Sequence, residues 1–327
     1  MLQQTMKFLF LRGQVPQDRN PQEIVFNTIE ECDDVWTHLI FNMTQPEDQT
    51  ELWYWGGKRE HKFSSNFTER WVQDFSKYKN EFIPDVIFCR GGFKEYHTVL
   101  KRFPRAFKIY YGAGRRFLPQ DGFHDYDLIL QDSTQQLSQS QKKFPKSHSS
   151  LFIKPAIDHM FFPTYTKKSI DVCFPANQFR ADKGHDFVSK TSPKKLSILN
   201  LGANNNLKLA KHIQHKRVLK NKLNAEYNKC KIGIVCSDSS IDSCPRVLPE
   251  MIAANLPVVL LDETRVWSEK YINSKTGIIS NRKNFWNDVD YVLNNLEKFN
   301  PRSYYEKELS LPVASNFIRK TIEQLKK

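Results

Sequence analysis

Two carboxylates eight positions apart, Asp242 and Glu250, bracket the segment Cys244-Pro-Arg-Val-Leu-Pro249. Behind them Met251-Ile-Ala-Ala254 reads as a helical run closed by Asn255, and Pro257–Leu261 reads as an apolar strand. A Pro-punctuated turn opening a helix, with acids at its mouth and in its first turns, suits a ligand that combines phosphate and sugar. Unpaired N–H groups at a helix N-terminus meet anions, while carboxylates accept hydrogen bonds from hydroxyls. The backbone of Cys244, Pro245, Arg246 and Val247 would aim those N–H groups, less the one that proline lacks. Upstream, Lys183-Gly184 offers a cation for a diphosphate, and Arg180 a second one. Glu250 would accept from ribose hydroxyls and Asp242 from hydroxyls of a sugar. Each residue also has a plainer reading: Lys183 as a solvated lysine, Glu250 as a first-turn acid favoured by the helix dipole, Asp242 as an N-cap.

Those side chains need a scaffold that gathers distant segments at one edge, and the sequence describes such a scaffold. In the first half, strands are expected at Lys7–Leu11, Glu51–Trp55, Pro84–Cys89, Phe107–Tyr111 and Tyr126–Leu130, with helices over 29–41, 66–79 and after Gly92. A Ser/Gln-rich helix or loop runs on to Ser150. After a break at 158–169 the alternation restarts with strands at Ile170–Pro175, Leu196–Leu201 and Ile232–Cys236, and the chain closes with helices around 284–298 and 314–327. Short apolar runs that end in glycine and alternate with helices indicate parallel α/β sheets, which bind ligands at strand carboxyl ends. Gly13 and Gly202 stand at two such ends and could let a phosphate approach. Two successive α/β halves are expected, 1–165 and 166–327, with the last helix returning to the first. No short-period repeat is visible.

Charge is unevenly placed. The first 165 residues carry 21 basic against 20 acidic side chains, and the remainder 28 against 16. Within the second half, 208–231 holds eight basic residues opposed only by Glu226. Such a surface suits a nucleotide diphosphate, an anionic membrane or a nucleic acid, or is simply a solvated lysine-rich face. No apolar run is long enough to cross a bilayer, and no signal-peptide core is visible, so the cytoplasm is the expected location. The six cysteines show no zinc spacing and read as free, buried thiols. Asp125-Tyr-Asp127 and Asp288-Val-Asp290 have the letters of a metal-binding Asp-x-Asp, but the first opens a buried strand and the second sits in a polar helix. Walker-type loops, nucleophilic triads and a full Gly-x-Gly-x-x-Gly fingerprint are absent from the sequence.

In order along the second half come Phe174–Phe187 (FPANQFRADKGHDF), Ile198–Ala203 (ILNLGA), Tyr227–Ser239 (YNKCKIGIVCSDS), the Asp242–Leu261 run, Glu269 and Thr276-Gly-Ile-Ile279. This ordered set resembles the retaining GT-B glycosyltransferases, specifically those like glycosyltransferase family four, over roughly 170–280. The first half agrees less specifically, through Tyr126–Ser133 and Ile157–Pro163. The sequence departs from the family pattern where Asp242 stands for the first glutamate of a Glu-x7-Glu pair. It departs again where Asn177 and Gln178 occupy the place of a basic residue, and where Ser243 and Pro245 replace loop glycines. The resemblance implies a GT-B fold, two Rossmann-like domains facing a central cleft, with the acceptor side in the first and a nucleotide-sugar donor site in the second. It implies transfer of a hexosyl or related group from a nucleotide-diphosphate sugar to a glycan, lipid-linked glycan or similar hydroxyl, with retention and without metal or other cofactor. Asp242, Glu250 and Lys183 would be its catalytic residues. Two other readings stay open: transfer to modified bases of a nucleic acid, and a non-catalytic GT-B-like protein that binds anions or nucleic acid.

Overall fold

The computed structural model describes residues 5–13, 28–55, 59–78, 81–112, 118–119, 125–176, 183–202, 209–236, 245–262 and 270–326. The chain forms two compact units, 1–152 together with 314–327, and 153–313. It passes into the second unit ahead of the composition break at 158–169. The physical reason is that Ala156 and Phe161, with Ile153 and Met160 against them, belong to that unit's core. Tyr305 fastens the same segment, its Oη receiving the Ala156 N–H at 3.1 Å.

In the first unit the elements are β1 (Lys7–Arg12), α1 (Val35–Met43), β2 (Gln49–Trp55), β3 (Arg59–Ser64), β4 (Phe67–Val72), β5 (Val86–Arg90), α2 (Lys94–Arg102), β6 (Phe107–Tyr111), β7 (Leu128–Gln131), α3 (Thr134–Lys143) and β8 (His148–Leu151). They build an eight-stranded sheet in the order β3-β4-β2-β1-β5-β6-β7-β8. Every pairing is parallel except β3 with β4. The apolar runs of β1, β5 and β6 are the centre of the sheet, buried on both faces as parallel strands require.

Two expectations for this half are corrected. The helix expected over 29–41 begins only at Val35, because Asp34 caps it by accepting the Thr37 N–H at 2.9 Å, while Cys32 closes a turn onto Ile29. The helix expected over 66–79 is instead β4 followed by a turn. Phe67-Thr-Glu-Arg-Trp-Val72 is rich in strand-forming residues, pairs in parallel with β2, and is joined to β3 by a tight turn. Arg70 ties the three strands, reaching Glu51 on β2 at 3.1 Å and Glu60 on β3.

The second unit contains β9 (Ile170–Pro175), α4 (His185–Thr191), β10 (Ile198–Leu201), β11 (Ile213–Lys216), α5 (Leu223–Asn228), β12 (Cys230–Val235), α6 (Val247–Ala253), β13 (Val258–Leu261), β14 (Gly277–Ser280), α7 (Phe285–Leu293) and α8 (Pro301–Glu308). Its sheet is wholly parallel, β11-β10-β9-β12-β13-β14, with a core on each face. The last helix, α9 (Leu311–Leu325), belongs to the first unit from Ala314 onward. There Arg319 pairs with the fully buried Asp48 and donates to the Met43 carbonyl at 3.1 Å. Among the described residues no helix is long and apolar enough to cross a membrane.

Candidate functional site

The connectivity of the second sheet decides where a ligand would sit. From β9 the chain moves outward to β10 and β11, then returns to place β12 on the opposite side of β9. The connections leaving the carboxyl ends of β9 and β12 therefore run in opposite directions. In open parallel sheets the crevice at such a switch point is the binding position. The connection after β9 leads through Lys183-Gly184 into α4, and the one after β12 leads through Pro245-Arg246 into α6. The two motifs singled out by spacing thus lie on the two connections that diverge at this switch point.

Gly184 shows how closely. Its backbone is left-handed, with φ +78°, and a Cβ there would lie 2.4 Å from the Cys236 carbonyl oxygen just beyond β12. Only glycine accepts both the conformation and the approach. It serves as the N-cap of α4, its carbonyl receiving the Val188 N–H at 3.0 Å. Lys183, partly exposed, is thereby held at the end of β12 by its neighbour's contact.

α6 is seated by a second close approach. Gly233 on β12 leaves the space that Met251 fills, since a Cβ at 233 would lie 2.3 Å from Met251 Sδ. The helix ends as expected at Asn255, which adopts φ 62°, while the Leu256 N–H turns back to the Met251 carbonyl at 2.9 Å. With its base fixed, α6 turns Glu250 inward. The Glu250 carboxylate is buried and accepts from Tyr227 Oη at 3.3 Å. Burial raises its proton affinity; Lys220, Arg246 and Lys154 oppose that through their charge, and Tyr227 through its hydrogen bond. The Tyr227 hydroxyl, itself buried, is pushed well above the ordinary phenol range by burial and by the neighbouring carboxylate.

The remaining assignments separate clearly. Gly202 follows β10 and donates its N–H to the Lys216 carbonyl at 3.2 Å, which places it at the same carboxyl edge. Pro245 is buried, Arg246 is exposed and Val247 begins the helix, packed against the core. Asp242, Arg180 and Cys244, with Glu269, lie outside the described residues. In the first unit, Gly13 follows β1, and the room its missing side chain leaves is occupied by the Phe93 ring, 2.4 Å from where a Cβ would stand. Nearby, the Arg90 guanidinium lies over the Trp36 ring at 5.4 Å.

Three residues around Glu250 have no sequence signal that links them to it. Tyr227 sits on α5, Lys220 in the turn before it, and Lys154 on the segment entering the unit. Lys154 is buried, and its main chain is held by Tyr271 Oη, which receives the Lys154 N–H at 2.6 Å. Tyr227 stands in a polar stretch, Asn224-Ala-Glu-Tyr-Asn-Lys229, and nothing in the spacing pairs it with an acid 23 residues later.

No protein-family model matches the sequence, and no curated protein matches it significantly. Solved structures do match its fold. A sucrose-phosphate synthase from Thermosynechococcus elongatus aligns over 98% of this chain and 99% of its own, with a TM-score of 0.70 at 10% identity. A glycosyltransferase from Rickettsia africae aligns over 99% of both chains, with a TM-score of 0.69 at 13% identity. Anabaena HepE, solved with UDP and glucose, aligns over 98% of this chain and all of its own, with a TM-score of 0.61 at 11% identity. At such identities the likeness speaks for architecture, and it agrees with the two sheets described above: the chain has the fold of the GT-B glycosyltransferases.

Proposed function

We propose that this protein is a glycosyltransferase that moves a sugar from a nucleotide-diphosphate sugar to a hydroxyl acceptor. The observation that carries the reading is the seat of Lys183-Gly184 against the end of β12, at the switch point whose other connection opens the Glu250 helix. The fold supports it, because HepE, similar along nearly the whole chain, was seen with UDP and glucose. In this reading the second unit holds the donor and the first carries the acceptor side. Lys183, with Arg180, neutralises the diphosphate; Glu250 accepts from ribose hydroxyls; Asp242 accepts from the transferred sugar. Main-chain groups of Cys244 to Val247 and of Gly202 line the phosphate side.

The step follows from those roles. The bond between the anomeric carbon and the diphosphate oxygen breaks, and the electron pair leaves with the diphosphate. The acceptor oxygen bonds to the same face of the sugar, so configuration is retained, and its proton passes to the departing diphosphate. Cations and N–H groups that stabilise charge growing on the leaving oxygen lower the barrier and assign no role to a metal. The acceptor is a glycan, a lipid-linked glycan or a similar hydroxyl compound.

The test is a thermal-shift screen of UDP-, GDP- and ADP-sugars followed by turnover assays on the stabilising donor, since a ligand that binds only the folded state raises its melting temperature. Lys183→Ala and Glu250→Ala should keep the fold and lose transfer. Losing a charge-assisted contact to the donor should weaken binding about 10- to 100-fold. Undiminished transfer in both variants refutes the site, and no response to any donor refutes the function.

A further inference from the structure

Among the described residues, seven large apolar side chains remain exposed, and three of them lie on two segments tied to the same helix. Phe162 is 42% exposed, Tyr165 is fully exposed, and Leu219 is 71% exposed. The 162–165 segment is fastened to α5 by two asparagines. Asn224 Oδ1 accepts the Phe162 N–H at 3.1 Å, Asn228 Oδ1 accepts the Thr164 N–H at 2.7 Å, and Asn228 Nδ2 donates to the Phe162 carbonyl at 2.9 Å. Leu219 stands immediately before the short turn of 3₁₀ helix, Lys220–Lys222, that leads into α5. The three apolar side chains therefore stand on segments that share α5 as their anchor.

Cations surround them. Arg217 and Lys222 are exposed beside Leu219 and Lys167 beside Tyr165, whereas burial lowers the pKa of the Lys168 ammonium, which turns towards Cys230 and Cys173. The acid of the neighbourhood is already answered: Glu226 is buried and holds Lys216 at 2.6 Å and Lys229 at 2.9 Å. Lys231, the next cation along, is likewise engaged, by Asp171 at 2.7 Å. Arg217, Lys222 and Lys167 thus present positive charge around exposed aromatic and leucine side chains. Single exposed apolar side chains are ordinary, but three on segments anchored to one helix, rimmed by cations, form the kind of patch that marks an interaction surface. Their combination matches what an interfacial surface needs, apolar groups to enter the headgroup region and basic groups to meet anionic lipid.

We propose that this face, built on 162–168 and 217–222, docks the protein on an anionic phospholipid bilayer. The inference is independent of the reaction assigned above, because every residue it uses lies outside the donor assignments. Docking would bring the enzyme to a surface where lipid-linked acceptors are found, but it holds whatever the acceptor.

The experiment is co-sedimentation of the full chain with vesicles of equal parts phosphatidylglycerol and phosphatidylcholine, and with pure phosphatidylcholine. Wild type should sediment with the first and not the second, and should be released as salt is raised. Arg217→Ala with Lys222→Ala should lower the partition coefficient roughly 30-fold, from about 1 kcal/mol for each cation at an anionic surface. Leu219→Ser should lower it about tenfold by forfeiting burial of the leucine, with salt dependence retained. All these side chains are exposed, and an unchanged melting temperature establishes that the variants fold. Equal sedimentation with both vesicle types overturns the proposal. So does unchanged binding in the variants, or duplex DNA binding by this face in place of vesicle binding.

Discussion

Replacing Gly184 with alanine tests the contact that seats the turn before α4 against the end of β12. The new side chain meets two separate penalties. At φ +78° an L-residue sits in the left-handed region, which costs about 1–2 kcal/mol. Its Cβ would also lie 2.4 Å from the Cys236 carbonyl oxygen and 2.5 Å from Cys236 Cβ, separations that real methyl groups do not reach. The obstacle is main chain at the end of a central strand, so it cannot swing aside, and overpacking of this kind costs about 1–3 kcal/mol more. Together the loss should be about 2–5 kcal/mol, confined to the unit of 153–313. Native-state hydrogen exchange resolved by peptide should show β9 and β12 losing protection while β1 and β5 keep theirs. Gly184→Asn separates the two penalties, because asparagine tolerates left-handed backbone but still carries a Cβ. The close approach predicts that asparagine recovers little. If asparagine restored wild-type protection, or alanine left β12 unchanged, the claim that Gly184 packs against Cys236 would be wrong.

Three other outcomes follow from the same geometry. Burial raises the Glu250 pKa, so the folded protein keeps that proton to higher pH than the unfolded chain does. Stability therefore falls as pH rises from the unfolded carboxyl's pKa through the raised folded one, and stays lower above it. Glu250→Gln should flatten that slope in urea midpoints and be at least as stable as wild type at neutral pH, while losing donor affinity; a Gln variant that grows relatively weaker with rising pH refutes the burial argument. Gly233→Ala should destabilise by about 1–3 kcal/mol because its Cβ meets Met251 Sδ, and adding Met251→Ala should cost less than the two changes summed, a coupling that chemical denaturation of the four proteins measures. Arg319→Ala should cost about 3–5 kcal/mol by stranding the buried Asp48 carboxylate, and exchange should rise in α9 together with α1.

What the sequence made legible was what depends on near neighbours. β1, β9, β12 and β13 were visible as apolar runs, and the end of α6 at Asn255 was visible from its residue type. β4 was not, because Phe67–Val72 mixes charge and aromatics in a pattern that a helix also fits, and its pairing with β2 decides the matter. β11 escaped for a related reason: Ile-Gln-His-Lys is polar, as an edge strand can be, and only β10 gives it a partner. At the candidate site, the turn at Lys183-Gly184 and the helix that carries Glu250 were legible because each is set by local sequence. Tyr227 and Lys154 were invisible because the fold alone brings them to Glu250.

Glu250 then poses a question of energetics on which the proposed donor role can be tested. A carboxylate buried in the first turn of α6 is disfavoured by its surroundings, as its raised proton affinity records. Glutamine would keep the shape and could receive the Tyr227 hydroxyl without bearing a charge. The helix dipole favours an acid in this turn, but by a few tenths to about 1 kcal/mol, and an exposed position would gain that without the desolvation. Placing Glu250 inward, with Lys220, Arg246 and Lys154 close enough to act on its charge, maintains an ionisable acceptor beside the switch point at a cost in stability. A ligand bearing hydroxyls gives that acceptor a partner, and one bearing phosphates gives the cations theirs. Glu250→Gln separates the two explanations: a residue kept for packing would lose neither stability nor binding, whereas a donor-binding acid loses binding alone.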